Sequence, residues 1–272
     1  GDVADAEKVP PADVAEAPRL GGLLYTATEP MGFGGAEGGL TIGNVIRTID
    51  TGGQTQQRLR QLRGHLWSPT YSPDGKRIAF VHDMGGRGQI YVMNADGSGA
   101  LNVSGNTFCD RSPIWSPDGD RIVFLSDRTG DWDIHVMSAD GSNQRHLTGN
   151  PGLDRAPTWS PDGARLAWES YVSDMPNIWV CDADGRNSRS LIAPDKLLKI
   201  QHVQDWAKET PFPMDDEKPI YPDNVHFLTS PVWSPDGKRI AAVVDGTGGY
   251  ASDVVLVEAD GSYMLKLTNG IG

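Results

Sequence analysis

Apolar and polar residues alternate in short runs along most of the chain, and the same order of runs returns at a fixed interval. The phrase Ser-Pro-Asp-Gly occurs four times, at 72–75, 116–119, 160–163 and 234–237. The first three copies lie 44 residues apart, and the fourth follows after 74 residues, one interval plus 30. Such an interval is typical of repeat proteins, in which each unit buries its apolar face against its neighbours.

Each unit predicts four strands in one order. The first strand ends in an aromatic residue, at Tyr71, Trp115, Trp159 and Trp233. The Ser-Pro-Asp-Gly turn follows, in which proline fixes φ, aspartate bonds the backbone and glycine takes positive φ. A second and a third strand are mostly apolar, and the third closes on an Ala-Asp-Gly hairpin turn. A weaker fourth strand carries Leu101, Leu147, Leu191 and Leu267.

Four antiparallel strands per interval predict an all-β fold, a β-propeller built of four-stranded blades. Five modules are visible, and their approximate ranges are 20–63, 66–107, 110–150, 154–192 and 229–270. The first module is degenerate, because its inner strand is not evident. Two interpretations stay open: a five-bladed ring, or an incomplete ring of six or more blades that missing residues or another chain complete. Residues 1–19, rich in Ala, Asp, Glu and Pro, predict an extended tail.

Two segments break the interval, and both fall on the face where the second strand connects to the third. One is a glycine-rich loop at 29–43, and the other is an insertion at about 193–228, within which 195–208 predicts a short helix. Loops of this length in a compact domain are usually functional or disordered. The insertion is either a lid on its own propeller or a partner-binding arm. The residues expected to bind a partner are Trp206, Phe212, Met214, Asp215, Asp216, Phe33, Trp132 and Tyr171.

The formal net charge of -12 argues against nucleic acid and anionic membranes as partners, because a phosphate binder needs a basic surface. No apolar run reaches the roughly 18–20 residues that a membrane-spanning helix requires. Two cysteines, Cys109 and Cys181, are too few for a disulfide framework. Cys109 falls in a loop before one repeat and Cys181 at the end of a strand in the next, which places them on opposite faces of the ring, so two free thiols are expected.

Support for catalysis or a cofactor is weak in the sequence. The six histidines share no metal-ligand spacing, and neither a nucleophile elbow nor a phosphate-binding glycine loop is present. The densest carboxylate cluster, Asp127, Asp131 and Asp133, is a weak candidate for a cation such as Ca²⁺. Aspartate that recurs once per blade is more typical of turns and of hydrogen bonds between blades.

The third module carries the phrases that identify a family. They are Trp-Ser-Pro-Asp-Gly at 115–119, Arg-Ile-Val-Phe-Leu-Ser-Asp at 121–127, Asp-Ile-His-Val-Met at 133–137 and Ala-Asp-Gly-Ser-Asn at 139–143. Together they resemble the TolB-type propeller repeat over about residues 66–272, less the insertion. The resemblance implies a bacterial exported protein, periplasmic or extracellular, that usually offers a docking surface. The same repeats also occur as non-catalytic domains of peptidases and in some lyases.

Three functions therefore compete. The leading hypothesis is a non-catalytic scaffold that docks a protein through the looped face and the insertion. The second is the propeller domain of a polysaccharide lyase or peptidase, which requires a metal or acid–base pocket at the channel mouth. The third is carbohydrate binding by exposed aromatic residues, for which the candidates are Trp132, Tyr171, Phe108 and Phe227.

Overall fold

The computed structural model describes residues 23–33, 40–49, 56–60, 65–83, 85–172, 176–192, 227–245 and 252–268. Every secondary-structure element in these ranges is a β-strand, and the strands form five antiparallel sheets. The all-β propeller prediction is confirmed. Within the described residues, no helix is long and apolar enough to cross a membrane. Cys109 and Cys181 are both free, as the sequence predicts.

Each sheet corresponds to one sequence module, and its strands follow chain order from the inner to the outer edge. The first sheet has three strands: β1 Leu23–Phe33, β2 Leu40–Ile49 and β3 Gln56–Arg60. The second sheet has β4 His65–Tyr71, β5 Arg77–Asp83, β6 Gly88–Asn94 and β7 Leu101–Asn102. The third has β8 Asp110–Trp115, β9 Arg121–Ser126, β10 Asp133–Ser138 and β11 Arg145–His146. The fourth has β12 Asp154–Trp159, β13 Arg165–Ser170, β14 Asn177–Asp182 and β15 Arg189–Ser190. The fifth has β16 Phe227–Trp233, β17 Arg239–Asp245, β18 Ser252–Glu258 and β19 Met264–Lys266.

Strands β1 and β2 extend into the glycine-rich segment of the first module, so that residues 29–33 and 40–43 are paired strands where a loop at 29–43 was predicted. Glu29 pairs with Gly43 and Phe33 pairs with Leu40, with a register shift between Pro30 and Gly32. A β-bulge of this kind places an extra residue in one strand, and regular pairing continues on both sides of it. The strands β1 and β2 therefore extend well beyond their apolar cores.

In the four full modules the fourth strand has two or three residues, and Leu101 lies in it as predicted, but at a different register from Leu147 and Leu191. Val103 is the counterpart of Leu147 and Leu191, since each donates its backbone N–H to the third strand of its own sheet. Those three side chains are buried, whereas Leu101 is 68% exposed. The sequence does not reveal this difference in register, because Leu101 and Val103 are both apolar and lie two residues apart.

The Ser-Pro-Asp-Gly turn is a closed hydrogen-bonded unit that repeats unchanged. In the first copy the Ser72 hydroxyl donates to Asp74 Oδ1 at 2.6 Å and accepts the Arg77 N–H at 2.9 Å. Asp74 Oδ1 also accepts the Lys76 N–H at 3.1 Å, and Gly75 has φ of 71°. Hydrogen bonds from Ser72 and Lys76 lower the pKa of the Asp74 carboxyl. Each residue of the phrase therefore has a backbone-shaping role.

In the second, third and fourth sheets, an arginine at the start of the second strand joins its blade to the next one. Arg77, Arg121 and Arg165 lie 4.6, 4.7 and 4.6 Å from the ring centroids of Trp115, Trp159 and Trp233 respectively. Each guanidinium also donates through Nη2 to a turn glycine carbonyl of the following blade, with acceptors Gly119 at 2.7 Å, Gly163 at 3.1 Å and Gly237 at 2.7 Å. We call this repeated contact the arginine clamp.

A second contact between blades lies at the outer edge, where the Ala-Asp-Gly turn of one blade sits on the backbone of the previous one. A Cβ added at Gly141 would lie 2.3 Å from the Val103 carbonyl oxygen, and one at Gly261 would lie 2.1 Å from that of Leu191. The glycine of this turn is therefore required for close approach as well as for its positive φ.

Apolar side chains fill the layer between neighbouring blades. In one such layer Val81, Ile90 and Val103 of the second sheet pack with Trp115 and Phe124 of the third. The prediction that the repeated aromatic and apolar residues form the core is confirmed.

The fifth sheet ends with an edge that no described blade covers. Arg239, which occupies the clamp position, pairs instead with Glu258 of its own sheet at 2.9 Å. Leu267 is 53% exposed, although its counterparts in the earlier blades are buried. Within the described residues, no interface comparable to those between consecutive sheets joins the fifth sheet to the first. The number of blades in the closed ring stays a prediction.

We expect Arg165→Met to lower the free energy of unfolding by about 1–3 kcal/mol, because it removes a stacked cation and a hydrogen bond between blades. Urea unfolding followed by tryptophan fluorescence measures this. Arg186→Met is the matched control, since that side chain is 83% exposed and pairs only with Asp184 of its own turn. Equal losses in the two variants would refute the clamp.

We expect Gly141→Ala to cost about 1–3 kcal/mol more than Gly86→Ala. Both glycines have φ of 87°, but an added Cβ at Gly86 meets nothing within 4 Å. The difference between the two variants therefore measures the contact with the previous blade, free of the backbone strain that both share. Thermal unfolding compares them, and identical melting temperatures would contradict the packing.

Candidate functional site

One side of the propeller carries the connections from second to third strand and the starts of the inner strands. The register pairs Asp110 with Ser126 and Asp154 with Ser170, so these elements end together. We call this side the looped face, and its described segments are 85–88, 108–111, 126–133, 152–155 and 170–172. The Ser-Pro-Asp-Gly turns lie at the opposite ends of the same strands.

Most carboxylates of the looped face hold loops. Asp83 Oδ1 accepts the backbone N–H groups of Gly85, Gly86 and Arg87 at 2.8, 2.6 and 2.9 Å. Asp127 Oδ1 accepts the N–H of Cys109 at 2.8 Å, which joins two loops of neighbouring modules. These bonds are scaffold, as expected for aspartates that recur once per blade.

Asp133, a candidate metal ligand, also has a structural position. It is buried, accepts a hydrogen bond from the Thr129 hydroxyl, and lies 3.1 Å from His146 Nε2. A polar residue occupies this position in every full module, at Gln89, Asp133, Asn177 and Asp253. Asp131 is exposed. Among the described residues no group of three or more His, Cys, Asp or Glu side chains is arranged to hold a metal ion. A Ca²⁺ site at Asp127, Asp131 and Asp133 therefore stays a prediction.

Two histidines stack beside Asp133. The His135 and His146 rings are 4.9 Å apart at an interplanar angle of 22°, and Phe124 lies 5.8 Å from His135 on its other side. Burial, with help from nearby Arg128 and His146, lowers the pKa of His135 to about 3. A neutral, buried ring of this kind packs as an aromatic side chain.

Two buried aspartates begin neighbouring inner strands, and their surroundings differ. Asp110 receives hydrogen bonds from Arg128 Nη2 at 3.2 Å and Asn106 Nδ2 at 2.6 Å. Asp154 takes the same place one interval later, but Val172 stands where the arginine would be. Trp168 Nε1 donates to Asp154 Oδ1 at 3.2 Å. Asp154 therefore has hydrogen-bond donors but lacks the cation that its counterpart has.

Burial raises the pKa of Asp154 to about 6, and the nearby charge of Asp133 adds to the effect. The hydroxyls of Ser170 and Thr148 and the Trp168 N–H act in the opposite direction. Burial dominates because no positive charge replaces the lost hydration of the carboxylate.

A second set of equivalent residues lies on the looped face, just before a left-handed residue in the inner strand of each full module. These residues are Trp67, Arg111, Arg155 and Thr229. The residues that follow them, Ser68, Ser112, Ala156 and Ser230, have φ between 50° and 54°. We call the first four residues the inner-strand set.

The two arginines of the inner-strand set both stack on aromatic residues of the looped face. The Arg111 guanidinium carbon lies 3.4 Å from the Trp132 ring centroid, and that of Arg155 lies 4.6 Å from Tyr171. Trp132 also packs against the core between the third and fourth sheets, and its carbonyl accepts the Asp154 N–H at 2.8 Å. Trp132 is thus held in place from the next blade.

Glu169 distinguishes the two arginines. It is a buried carboxylate at a position where the neighbouring modules carry Val81, Leu125 and Val243. Arg155 Nε donates to its Oε1 at 2.6 Å, and the Ser230 N–H of the following blade donates to its Oε2 at 3.3 Å. Arg155 is therefore neutralised, whereas Arg111 faces Leu125 in the register and pairs with no carboxylate among the described residues.

Of the residues expected to bind a partner, the structure brings Trp132 and Tyr171 to the looped face. Phe33 ends strand β1. Trp206, Phe212, Met214, Asp215 and Asp216, and the helix predicted at 195–208, lie outside the described residues. The sequence analysis missed Glu169, whereas the pairs Asp110-Arg111 and Asp154-Arg155 lie on the looped face as the sequence predicts. Alignment of the modules contains the signal for Glu169, because a carboxylate there interrupts a run of apolar residues.

Comparison with known proteins identifies the repeat. The family model of the TolB beta propeller domain matches residues 45–198, which is more than half of the chain. TolB from Acinetobacter baumannii is similar with a TM-score of 0.58 and 20% identity, over 84% of this chain and 49% of that chain. A structure assigned as TolB from Agrobacterium tumefaciens has a TM-score of 0.61 and 18% identity, over 89% and 80%.

An enzyme shares the same fold. Oligogalacturonate lyase in complex with manganese is similar with a TM-score of 0.60 and 15% identity, over 83% of this chain and 59% of that chain. At these identities the likeness to solved structures shows the fold alone. The chain spans about half the length of the Acinetobacter protein, of which 49% is covered.

We expect Asp154 to make the fold less stable as pH rises. Its folded pKa of about 6 lies above the unfolded value near 3.9, so the folded state binds more protons between these values. The contribution is fully present below about pH 4 and is lost as pH rises through 6, on the order of 3 kcal/mol in total. Asp154→Asn should remove this slope, which urea unfolding between pH 4 and pH 7 measures.

Asp162→Asn serves as the control of opposite sign. A hydrogen bond from Ser160 lowers the pKa of Asp162, so its contribution is lost as pH falls. A parallel pH profile for wild type and Asp154→Asn would show that burial does not raise the pKa of Asp154.

Proposed function

This chain belongs to the family of TolB β-propeller domains, and from that premise we propose that it is a non-catalytic docking scaffold. It binds a protein partner through the looped face and the insertion at about 193–228. We further propose that it acts as an exported, periplasmic or extracellular bacterial protein. Its acidic character, with a formal net charge of -12, disfavours nucleic acid as the partner.

One observation carries the docking proposal. On the looped face the carboxylates Asp83, Asp110 and Asp127 are engaged in loop and blade contacts, and the side chains left exposed include arginines stacked on aromatic rings. Arginine, tryptophan and tyrosine are the residues that most often dominate binding energy at protein interfaces. The looped face thus has the composition of an interface.

The open edge of the fifth sheet supports a second contact. In the part of the chain that the structure describes, Arg239 and Leu267 have no neighbouring blade of the kind that their counterparts contact. We propose that further propeller modules, from a longer form of the chain or from another chain, complete the ring at this edge.

An enzyme domain is the second candidate function, and Asp154 is the observation that favours it. A carboxyl with a pKa of about 6 suits a general acid or base near neutral pH. However, Asp154 is 0% exposed, so a substrate would reach it only after a rearrangement of the looped face. Carbohydrate binding by Trp132 and Tyr171 is weaker still, because a guanidinium lies over each ring.

Cross-linking mass spectrometry on complexes captured from the native host tests docking. We expect stoichiometric partner cross-links at the insertion lysines Lys196, Lys199, Lys208 and Lys218. Lys76 and Lys238 are internal controls, because both belong to turns on the opposite side. Partner cross-links confined to these two lysines, or cross-links confined to the chain itself, would contradict docking through the looped face.

A further inference from the structure

We propose that the Arg111–Trp132 pair is a carboxylate-binding site that recognises an acidic side chain of a protein partner. This inference rests on the proposed docking function and specifies what the looped face recognises. Nothing in the repeat requires an arginine at this position, since two of its three counterparts in other blades are Trp67 and Thr229, and the third, Arg155, has its own carboxylate. The proposal therefore concerns a feature of this blade and not of the fold.

The geometry prepares Arg111 for one kind of contact. Its guanidinium lies 3.4 Å from the Trp132 ring centroid, close enough for the two planar groups to be in face-to-face contact. Such stacking uses the face of the guanidinium and leaves its edge, which carries the N–H donors, free. Two parallel N–H groups on that edge match the two oxygens of a carboxylate.

Trp132 is fixed before any ligand arrives. Its ring packs against the core between the third and fourth sheets, and its carbonyl accepts the N–H of Asp154 in the next blade. Because Trp132 already holds the Arg111 side chain in place, Arg111 loses less side-chain entropy when it binds a ligand. The stack thus favours binding beyond the contribution of its charge.

Arg155 provides the internal comparison. It stands at the same position one interval later and also lies over an aromatic ring, but it already has a carboxylate, that of Glu169 at 2.6 Å. Arg111 has Leu125 where Arg155 has Glu169. The carboxylate that one blade supplies from its own second strand is missing at the other, and the Arg111 side chain is exposed on the looped face.

A protein carboxylate fits this site better than an acidic sugar does. Recognition of sugar rings normally uses an open aromatic face, and here one face of Trp132 is covered by Arg111 while the ring also packs against the core. The remaining chemistry is a guanidinium edge, for which the side chain of Asp or Glu on a partner segment is sufficient.

A random dodecapeptide display library, selected against the full chain, provides the probe. We expect wild type to enrich Asp or Glu over Asn and Gln at one position of the bound peptides. Synthetic versions of an enriched peptide should bind Arg111→Gln at least about tenfold more weakly than wild type by fluorescence anisotropy. Changing the acidic residue of the peptide to its amide should weaken binding to wild type equally, and to Arg111→Gln very little.

Arg186→Gln is the charge-matched control, because it removes one exposed arginine from the opposite side and should leave affinity unchanged. Arg111→Lys keeps the charge but loses the two-pronged geometry, so it should restore only part of the affinity. Each variant should unfold in a single cooperative transition well above the temperature of the binding assay, which separates lost binding from lost folding.

The outcomes separate this inference from the docking function. Peptides enriched without an acidic preference, or bound equally by Arg111→Gln, overturn the carboxylate site and leave docking intact. A library without binders, together with captures without a partner, overturns both. Tetragalacturonate binding that Arg111→Gln abolishes, in the absence of peptide binding, overturns the protein assignment in favour of an acidic sugar.

Discussion

The contact between one blade and the next is the constraint on which the structure depends. A four-stranded sheet exposes two faces, and none of the blades buries both faces alone. The arginine clamp fixes this contact on the turn side, where Arg121 covers Trp159 and bonds the Gly163 carbonyl. The Ala-Asp-Gly turn fixes it at the outer edge, where Gly141 approaches the Val103 backbone. Apolar side chains between these two points then need only match in volume.

Both contacts involve a backbone carbonyl, which accepts a hydrogen bond in the arginine clamp and packs against the turn glycine at the outer edge, and this explains why the turn phrases repeat so faithfully. A carbonyl is presented correctly only if the turn that carries it keeps its shape. Ser160 and Asp162 maintain that shape in the third turn, and the glycine between the two blades must lack a side chain. The residues that recur in the turns are therefore explained by the geometry of the contact between blades. They carry no information about a ligand, which agrees with the separation of fold and function in propellers.

The sequence was sufficient for the architecture because turns and strand alternation are local. It located all four full blades, the core aromatics and both free cysteines. It failed where a signal depends on register or on distance in space. Leu101 and Val103 are both apolar, so the sequence does not show which of them packs into the core. The stacking of Arg111 on Trp132 joins residues 21 positions apart, and the path of the loop between them cannot be predicted from its composition. Glu169 was detectable, because a carboxylate among Val and Leu counterparts violates the pattern, but its two partners were not.

Comparison of equivalent positions within one chain separates scaffold from function more sharply than the repeat itself does. Asp110 and Asp154 begin neighbouring inner strands, yet only Asp110 has a compensating arginine. Arg111 and Arg155 follow them, yet only Arg155 has a compensating glutamate. Asp154 is buried, so the lack of a described cation beside it destabilises the fold at neutral pH. Arg111 lies at the surface, where water solvates its charge at little cost. The contact with Glu169 therefore accounts for the position of Arg155, whereas within the described residues no contact of this kind accounts for that of Arg111, where we place the proposed carboxylate site.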